Sequence, residues 1–191
     1  MFFTSDTHFG EDRVRILGDR PFHDVMEMDK TIITNWNNTV GRGDDVWHLG
    51  DFGDDMSLVQ QLNGNVHLIL GNHEETKVQN DFGGDFPRYA DYLMSLGFRS
   101  VTAGGKILYV PEIEDNGVYL THKPMDCDKS RFNLFGHIHR LGMVKKFGLN
   151  VGTDCHWFKP ISAEKINFFK GSIKNVYDEN VFCDIKDLNF G

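Results

Sequence analysis

A repeated pairing constrains this chain more than any other feature: a short apolar, β-rich run with a small polar cluster behind it. The polar clusters are Asp6-Thr7-His8, Gly50-Asp51, Gly71-Asn72-His73-Glu74, Thr121-His122 and Gly136-His137-Ile138-His139. The runs Met1 to Ser5, Asp45 to Leu49, Val66 to Leu70, Val118 to Thr121 and Asn133 to Phe135 read as buried strands. Nearly every cluster therefore follows a strand. In layered α/β folds the loops beyond the strand C-termini converge, so side chains far apart in sequence can meet in one site.

Helical periodicity fills the gaps between these strands. Val25, Met28, Ile32, Trp36 and Val40 share a face, which predicts a helix over Asp24 to Val40. Asp24 is its expected N-cap, with Glu27 placed as in a capping box, and Gly41 suits the stop. Further helices are expected over Phe86 to Leu96, closed by Gly97, over Met56 to Leu62, and over Ser162 to Lys170 with Ser162 as cap. The second half is richer in strands, including Lys106 to Val110. The alternation predicts an α/β layered fold in a single domain over 1–191. Gly171 to Gly191 carries only short apolar groups and is expected as a peripheral strand or tail.

Composition narrows the function classes. The chain has 28 acidic and 20 basic residues, a formal charge of −8, and 40% hydrophobic residues. That balance argues against extended duplex binding, which draws its affinity from many basic contacts to phosphate, and against an anionic membrane surface. Cys127, Cys155 and Cys183 are odd in number and widely spaced, so a disulfide framework is not expected. With no signal-peptide pattern and no apolar run of membrane-spanning length, the expected location is the cytoplasm.

All donors in the five clusters are oxygen or nitrogen. That set favours borderline or hard divalent cations such as Mn²⁺, Fe²⁺ or Zn²⁺ over a thiolate site. In extended backbone, residues i and i+2 point the same way, so Asp6 with His8, and His137 with His139, are expected to face one centre. A carboxylate can bridge two metals through its two oxygens, and Asp51 is the expected bridge. Each cluster alone is an ordinary strand-end turn. The five together, in this order, are not.

This joint pattern resembles the calcineurin-like metallophosphoesterase superfamily: D-x-H, G-D, G-N-H-[DE], a lone His, then G-H-x-H. The similarity covers roughly Met1 to Lys170. Phe3 to Gly10, Asp19-Arg20-Pro21-Phe22, Asn35-Trp36-Asn37, Val46 to Phe52, Asn150 to Asp154 and Phe158-Lys159-Pro160 look like a small bacterial and phage subgroup. The resemblance implies a four-layer αββα sandwich with a dinuclear site at one sheet edge. By that resemblance Asp6, His8 and His139 match the ligands of a first metal. Asn72, His122 and His137 match those of a second, with Asp51 as bridge. His73 matches the histidine that contacts the phosphate and helps protonate the leaving oxygen. The implied cofactors are two divalent ions, Mn²⁺ first, with Fe, Zn or Ni as alternatives. The chain departs from the subgroup at Glu11, where close relatives tend to carry His.

The implied reaction is hydrolysis of a phosphomonoester or phosphodiester through the dinuclear centre and a bridging hydroxide. Glu74 is a candidate for orienting His73, with a solvated helix-start carboxylate as the plain alternative. Among basic residues near the clusters, Arg13 and Arg20 are the candidates for binding the substrate phosphate, ahead of Lys123 and Arg140. Expected substrates are small phosphoesters, cyclic nucleotides, nucleic-acid ends or phosphopeptides. The competing functions are a non-catalytic scaffold of the same fold and a nuclease acting on nucleic-acid ends. Retention of His73 weighs against the scaffold.

Overall fold

The computed structural model describes residues 1–113 and 117–176. Among these, ten strands form two five-stranded sheets. The first sheet has the order β10 (Ile161–Ser162), β1 (Phe2–Thr4), β2 (Asp45–His48), β3 (Asn65–Ile69) and β4 (Ser100–Thr102). β1 to β4 run parallel, and β10 is antiparallel at the edge. The second sheet has the order β5 (Lys106–Leu108), β6 (Val118–Leu120), β7 (Asn133–Phe135), β9 (Gly148–Asn150) and β8 (Val144–Lys145). Its central strands β6, β7 and β9 are parallel to one another. Parallel pairing puts the C-terminal ends of neighbouring strands side by side, and each polar cluster follows one of them.

Side-chain alternation along β2 and β3 builds two cores. Val46, Val66 and Leu68 join one cluster with Met28, Ile32 and Trp36 of α2 (Val25–Asn37). The same cluster takes in Val78 of α3 (Asn72–Phe82) and Tyr89 and Leu93 of α4 (Phe86–Leu96). Trp47 and Ile69 point the other way. They join Phe3 with Val118, Leu120, Leu134 and Leu149 of the second sheet. The first sheet is thus buried on both faces, as its near-continuous apolar runs require. His67 lies across from Trp47 in the register and stacks on it, with ring centroids 4.6 Å apart.

The expected helices form, with shifted ends. Asp24 caps α2 by accepting from the Glu27 N–H at 2.8 Å. Glu27 reaches back to the His23 N–H at 2.6 Å, one residue earlier than a capping box requires. α4 has the expected bounds, and Met56–Gln61 is a 3-10 helix. α5 (Ala163–Val176) runs past its expected end at Lys170. Residues 171–176, expected as strand or tail, are therefore helix, while 177–191 lie outside the described residues. Ile166, Phe169 and Ile173 continue one apolar stripe against the inter-sheet core, which offsets the helix penalty of Gly171 of about 1 kcal/mol. α5 touches β9 and β10, one strand from each sheet.

Two helices were not legible in the sequence. α3 begins inside the Gly71 to Glu74 cluster, where the sequence suggested a helix start only as one reading of Glu74 and set no bounds. α1 (Asp12–Leu17) is short and buries none of its residues, so its Val14, Ile16 and Leu17 set up no core-facing period. No helix among the described residues is long and apolar enough to cross a membrane.

Candidate metal centre

The C-terminal ends of β1, β2, β3, β6 and β7 bring the five clusters together. Three groups of side chains each place one potential ligand atom per residue within 4.8 Å of the others. The first is Asp6, His8 and His139. The second is Asp51, His122 and His137. The third, His8, Glu11 and His73, shares His8 with the first. Asn72 adjoins the second group through Oδ1, 2.9 Å from His122 Nε2. All seven residues expected as ligands are thus assembled from two sheets.

They converge by a route other than the expected one. Asp6 and His8 are not extended. Their φ values are 57° and 52°, and those of Asp51, His137 and His139 are 55°, 69° and 47°. The left-handed region is sparsely populated by side-chain-bearing residues, though Asp and His tolerate it better than most. Such strain persists where the surroundings over-determine it. Here they do. The Asp6 N–H donates to Gly50 O at 3.0 Å, and the Asp6 carboxylate accepts from the His137 N–H at 2.9 Å. Gly71 is needed for closeness rather than rotation, because a Cβ there would overlap the Asp51 carboxylate.

Three of the histidines have an acceptor near Nδ1, which leaves Nε2 for a metal. His122 Nδ1 lies 2.7 Å from Leu49 O, and His139 Nδ1 lies 3.0 Å from Asp154 Oδ2. His8 Nδ1 lies 3.3 Å from Glu11 Oε1, out of line for a hydrogen bond. His8 Nε2 is buried with no hydrogen-bond partner, 4.0 Å from Asp6 Oδ1 and 3.9 Å from Asp51 Oδ2. A buried, unpartnered imidazole nitrogen between two carboxylates is costly as it stands and suits a bound cation. The donor set and this orphaned nitrogen fit a divalent metal.

The charges interleave. Glu11 Oε1 is also 3.3 Å from His73 Nδ1. The Glu11 carboxylate pushes His73 up to about 9. Burial alone would raise Glu11, but His73 and His8 on either side bring it down to about 2. Burial disfavours the charged form of His122, yet the Asp51 carboxylate 3.3 Å away carries it up to about 9. Burial works against the Asp51 charge too, and His122 still holds that carboxyl well below the ordinary range.

Three residues have roles the sequence did not reveal. Glu74 neither orients His73 nor lies in solvent. Its buried carboxylate accepts from the N–H groups of Asp51, Phe52 and Gly71 at 2.9, 2.8 and 2.8 Å. It ties the Asp51 loop to the start of α3. Replacing Glu74 with Ala orphans three buried donors, and we expect a loss of about 3 kcal/mol or more in urea unfolding. A loss below about 1 kcal/mol would mean that water takes over the carboxylate's bonds.

Arg20 also departs from expectation. Its side chain is wholly buried. Nε and Nη2 grip Asp154 at 3.0 and 2.8 Å, while Nη1 and Nη2 donate to Thr7 O and Asp6 O at 2.8 and 2.6 Å. The substrate-binding expectation for Arg20 is corrected accordingly: the guanidinium has no reach beyond these partners. Asp154, given no role in the sequence, joins Arg20 to His139. Its signal was the Asn150 to Asp154 run, whose partner proves to be the Asp19 to Phe22 run.

Arg13 is exposed and lines a cavity with Glu11 and His73. Arg140 donates to Asp19 O at 2.6 Å, and Lys123 Nζ lies 3.4 Å from Glu75. Phe9 and Phe52 are core residues packed 5.0 Å apart, whereas Trp157 is exposed. His48 is fully buried with Nε2 3.0 Å from Thr7 Oγ1, and burial lowers it to about 3. His156 is held on Asn150 O at 2.8 Å.

The chain is similar to several known proteins. The chain is 39% identical over 205 residues to the uncharacterized protein MJ1445 of Methanocaldococcus jannaschii, covering 98% of this chain and 97% of that one. It is 37% identical over 203 residues to the Gene 66 protein of Mycobacterium phage L5, covering 86% and 91%. The crystal structure of AQ665, a protein of unknown function from Aquifex aeolicus, superposes with a TM-score of 0.64 at 22% identity. That superposition covers 88% of this chain and 98% of the other, and shows a shared fold. The family model of the calcineurin-like phosphoesterase superfamily domain matches residues 1–161, and the chain belongs to that superfamily.

Proposed function

We propose that the protein hydrolyses phosphomonoesters or phosphodiesters with two divalent cations, Mn²⁺ first, with Fe, Zn or Ni as alternatives. The observation that carries this is the position of Asp51. One of its oxygens lies 3.3 Å from His122 of one donor group and 3.9 Å from His8 of the other. Asp6, His8 and His139 would hold one cation, and Asn72, His122 and His137 the second, with Asp51 available to both. The cations supply Lewis acidity toward the phosphoryl oxygens and make water acidic enough to act as a nucleophile near neutral pH. Among the seven ligands only Asp6 and Asp51 are carboxylates, so two divalent ions would leave the ligand shell positive and able to attract a phosphate although the chain carries −8 overall.

The chain's own groups do the remainder. The His73 backbone N–H donates to Asp51 Oδ1 at 3.0 Å, and Glu11 Oε1 faces the ring at Nδ1. With Nδ1 engaged by Glu11, Nε2 is the ring nitrogen left to donate to a phosphoryl oxygen and pass a proton to the leaving oxygen. Arg13, in the cavity beside His73, contacts the phosphate. In this proposal residues 1–191 form one four-layer αββα domain acting on a soluble substrate in the cytoplasm. It needs neither a membrane nor a duplex.

The test is a Mn²⁺-loaded sample analysed for metal and assayed on aryl monoesters, aryl diesters, cyclic nucleotides, dinucleotides and phosphopeptides. Two ions per chain and turnover of at least one ester are expected. His73→Ala should keep both ions and lose about 10² to 10⁴ in kcat. None or one ion overturns the dinuclear centre. Two ions with no turnover across the panel would favour the scaffold role.

A further inference from the structure

Two cavities open beside the donor groups, and both are lined by Val14 and Leu17 of α1. The one holding Arg13 and His73 is about 560 Å³ and polar in its residues. The other is about 470 Å³ and different in character. Val14 and Leu17 from α1 line it together with Ile138 and Leu141 from the loop after β7. His137 and His139 also line it, so it opens directly onto the donor groups.

These apolar side chains contribute little to the core. α1 buries none of its residues, and Leu17 and Leu141 are 72% and 82% exposed. Single exposed leucines need no explanation. Here two elements more than a hundred residues apart bring four apolar side chains to one cavity beside a candidate metal centre. A phosphate and its metals have no use for such a wall. The organic part of an ester does, because ligand sites pair an apolar lining with a few polar anchors. The rim is also fixed, since Arg140 of the same loop donates to Asp19 O next to α1.

We propose that this cavity holds an apolar, ring-sized substituent of the phosphoester, so that the protein prefers esters of aromatic groups to those of small alkyl groups. The inference rests on a phosphoester occupying the centre. It names the substituent and the side from which it enters.

The test compares the binding of phenylphosphonate and methylphosphonate to the Mn²⁺-loaded protein by calorimetry. Neither compound is an ester, so the readout does not depend on turnover. Burial of a ring should make phenylphosphonate roughly tenfold to a hundredfold tighter. Leu17→Ser and Leu141→Ser should each reduce that ratio severalfold. Met125→Ser, at a residue 85% exposed and outside the cavity, should leave the ratio unchanged. Equal affinities in the wild type, no binding of either compound, or a ratio retained in both Leu variants overturns the inference. A phenyl preference without hydrolysis of any ester would uphold the cavity and refute the phosphoesterase function.

Discussion

Asp51→Asn should lower kcat on an aryl phosphodiester by at least about 10³-fold and reduce bound Mn²⁺ to one ion or fewer per chain. The substitution preserves volume and one oxygen, so packing over Gly71 is retained. What it removes is charge. Asp51 Oδ2 lies between His122 and His8, and Oδ1 accepts from the His73 N–H. An amide in that position offers one oxygen and turns a donor toward a cation. The loop around it stays anchored, because the Asp51 and Phe52 N–H groups still donate to Glu74. A protein that stays folded by circular dichroism but has lost turnover and metal is therefore the expected combination. Wild-type turnover with two ions retained would remove Asp51 from the bridging role.

Arg20→Ala should cost about 3–5 kcal/mol of folding stability and weaken metal binding about 10- to 100-fold. The stability loss follows from burial. Arg20 and Asp154 side chains are both fully shielded, and removing the guanidinium leaves an uncompensated carboxylate. It also frees the Asp6 and Thr7 carbonyls of the segment that carries two ligands. The metal effect follows from Asp154 Oδ2, which faces His139 Nδ1 and presents its other nitrogen to the centre. Replacing both partners by apolar residues, as in Arg20→Met with Asp154→Leu, should recover much of the stability without recovering metal affinity. Urea unfolding and Mn²⁺ titration separate the two effects. Recovery of both together would mean that the pair serves packing alone.

Where local pattern carried the information, the expectation and the fold agree closely. The strands at Phe2–Thr4, Asp45–His48, Asn65–Ile69 and Asn133–Phe135 lie where apolar runs predicted them. α4 matches its bounds because Asp85, Pro87 and Gly97 mark both ends. α1 left no trace, since a helix that buries nothing needs no apolar period. Glu74 could be judged only by its neighbours: a helix-start carboxylate is ordinary in solvent and a linchpin when three buried N–H groups surround it. Arg20 was misassigned for a related reason. Proximity to a motif in sequence says nothing about which way a guanidinium turns, and the partner that turns it inward is Asp154, 134 residues away.

The clusters that supply the candidate donors were therefore legible from residue types and spacing, because each candidate lies two to four residues beyond a strand and strands announce themselves locally, while the assignment of individual ligands came from the resemblance to the superfamily. How those donors are held was not. The left-handed backbone at Asp6, His8, Asp51, His137 and His139 is held by contacts between loops, some within the first sheet and some across to the second, as are the Arg20–Asp154–His139 chain and the placing of Glu11 between His8 and His73. The apolar cavity between α1 and the loop after β7 arises in the same way. Such features depend on which distant groups become neighbours, and only the tertiary packing sets that.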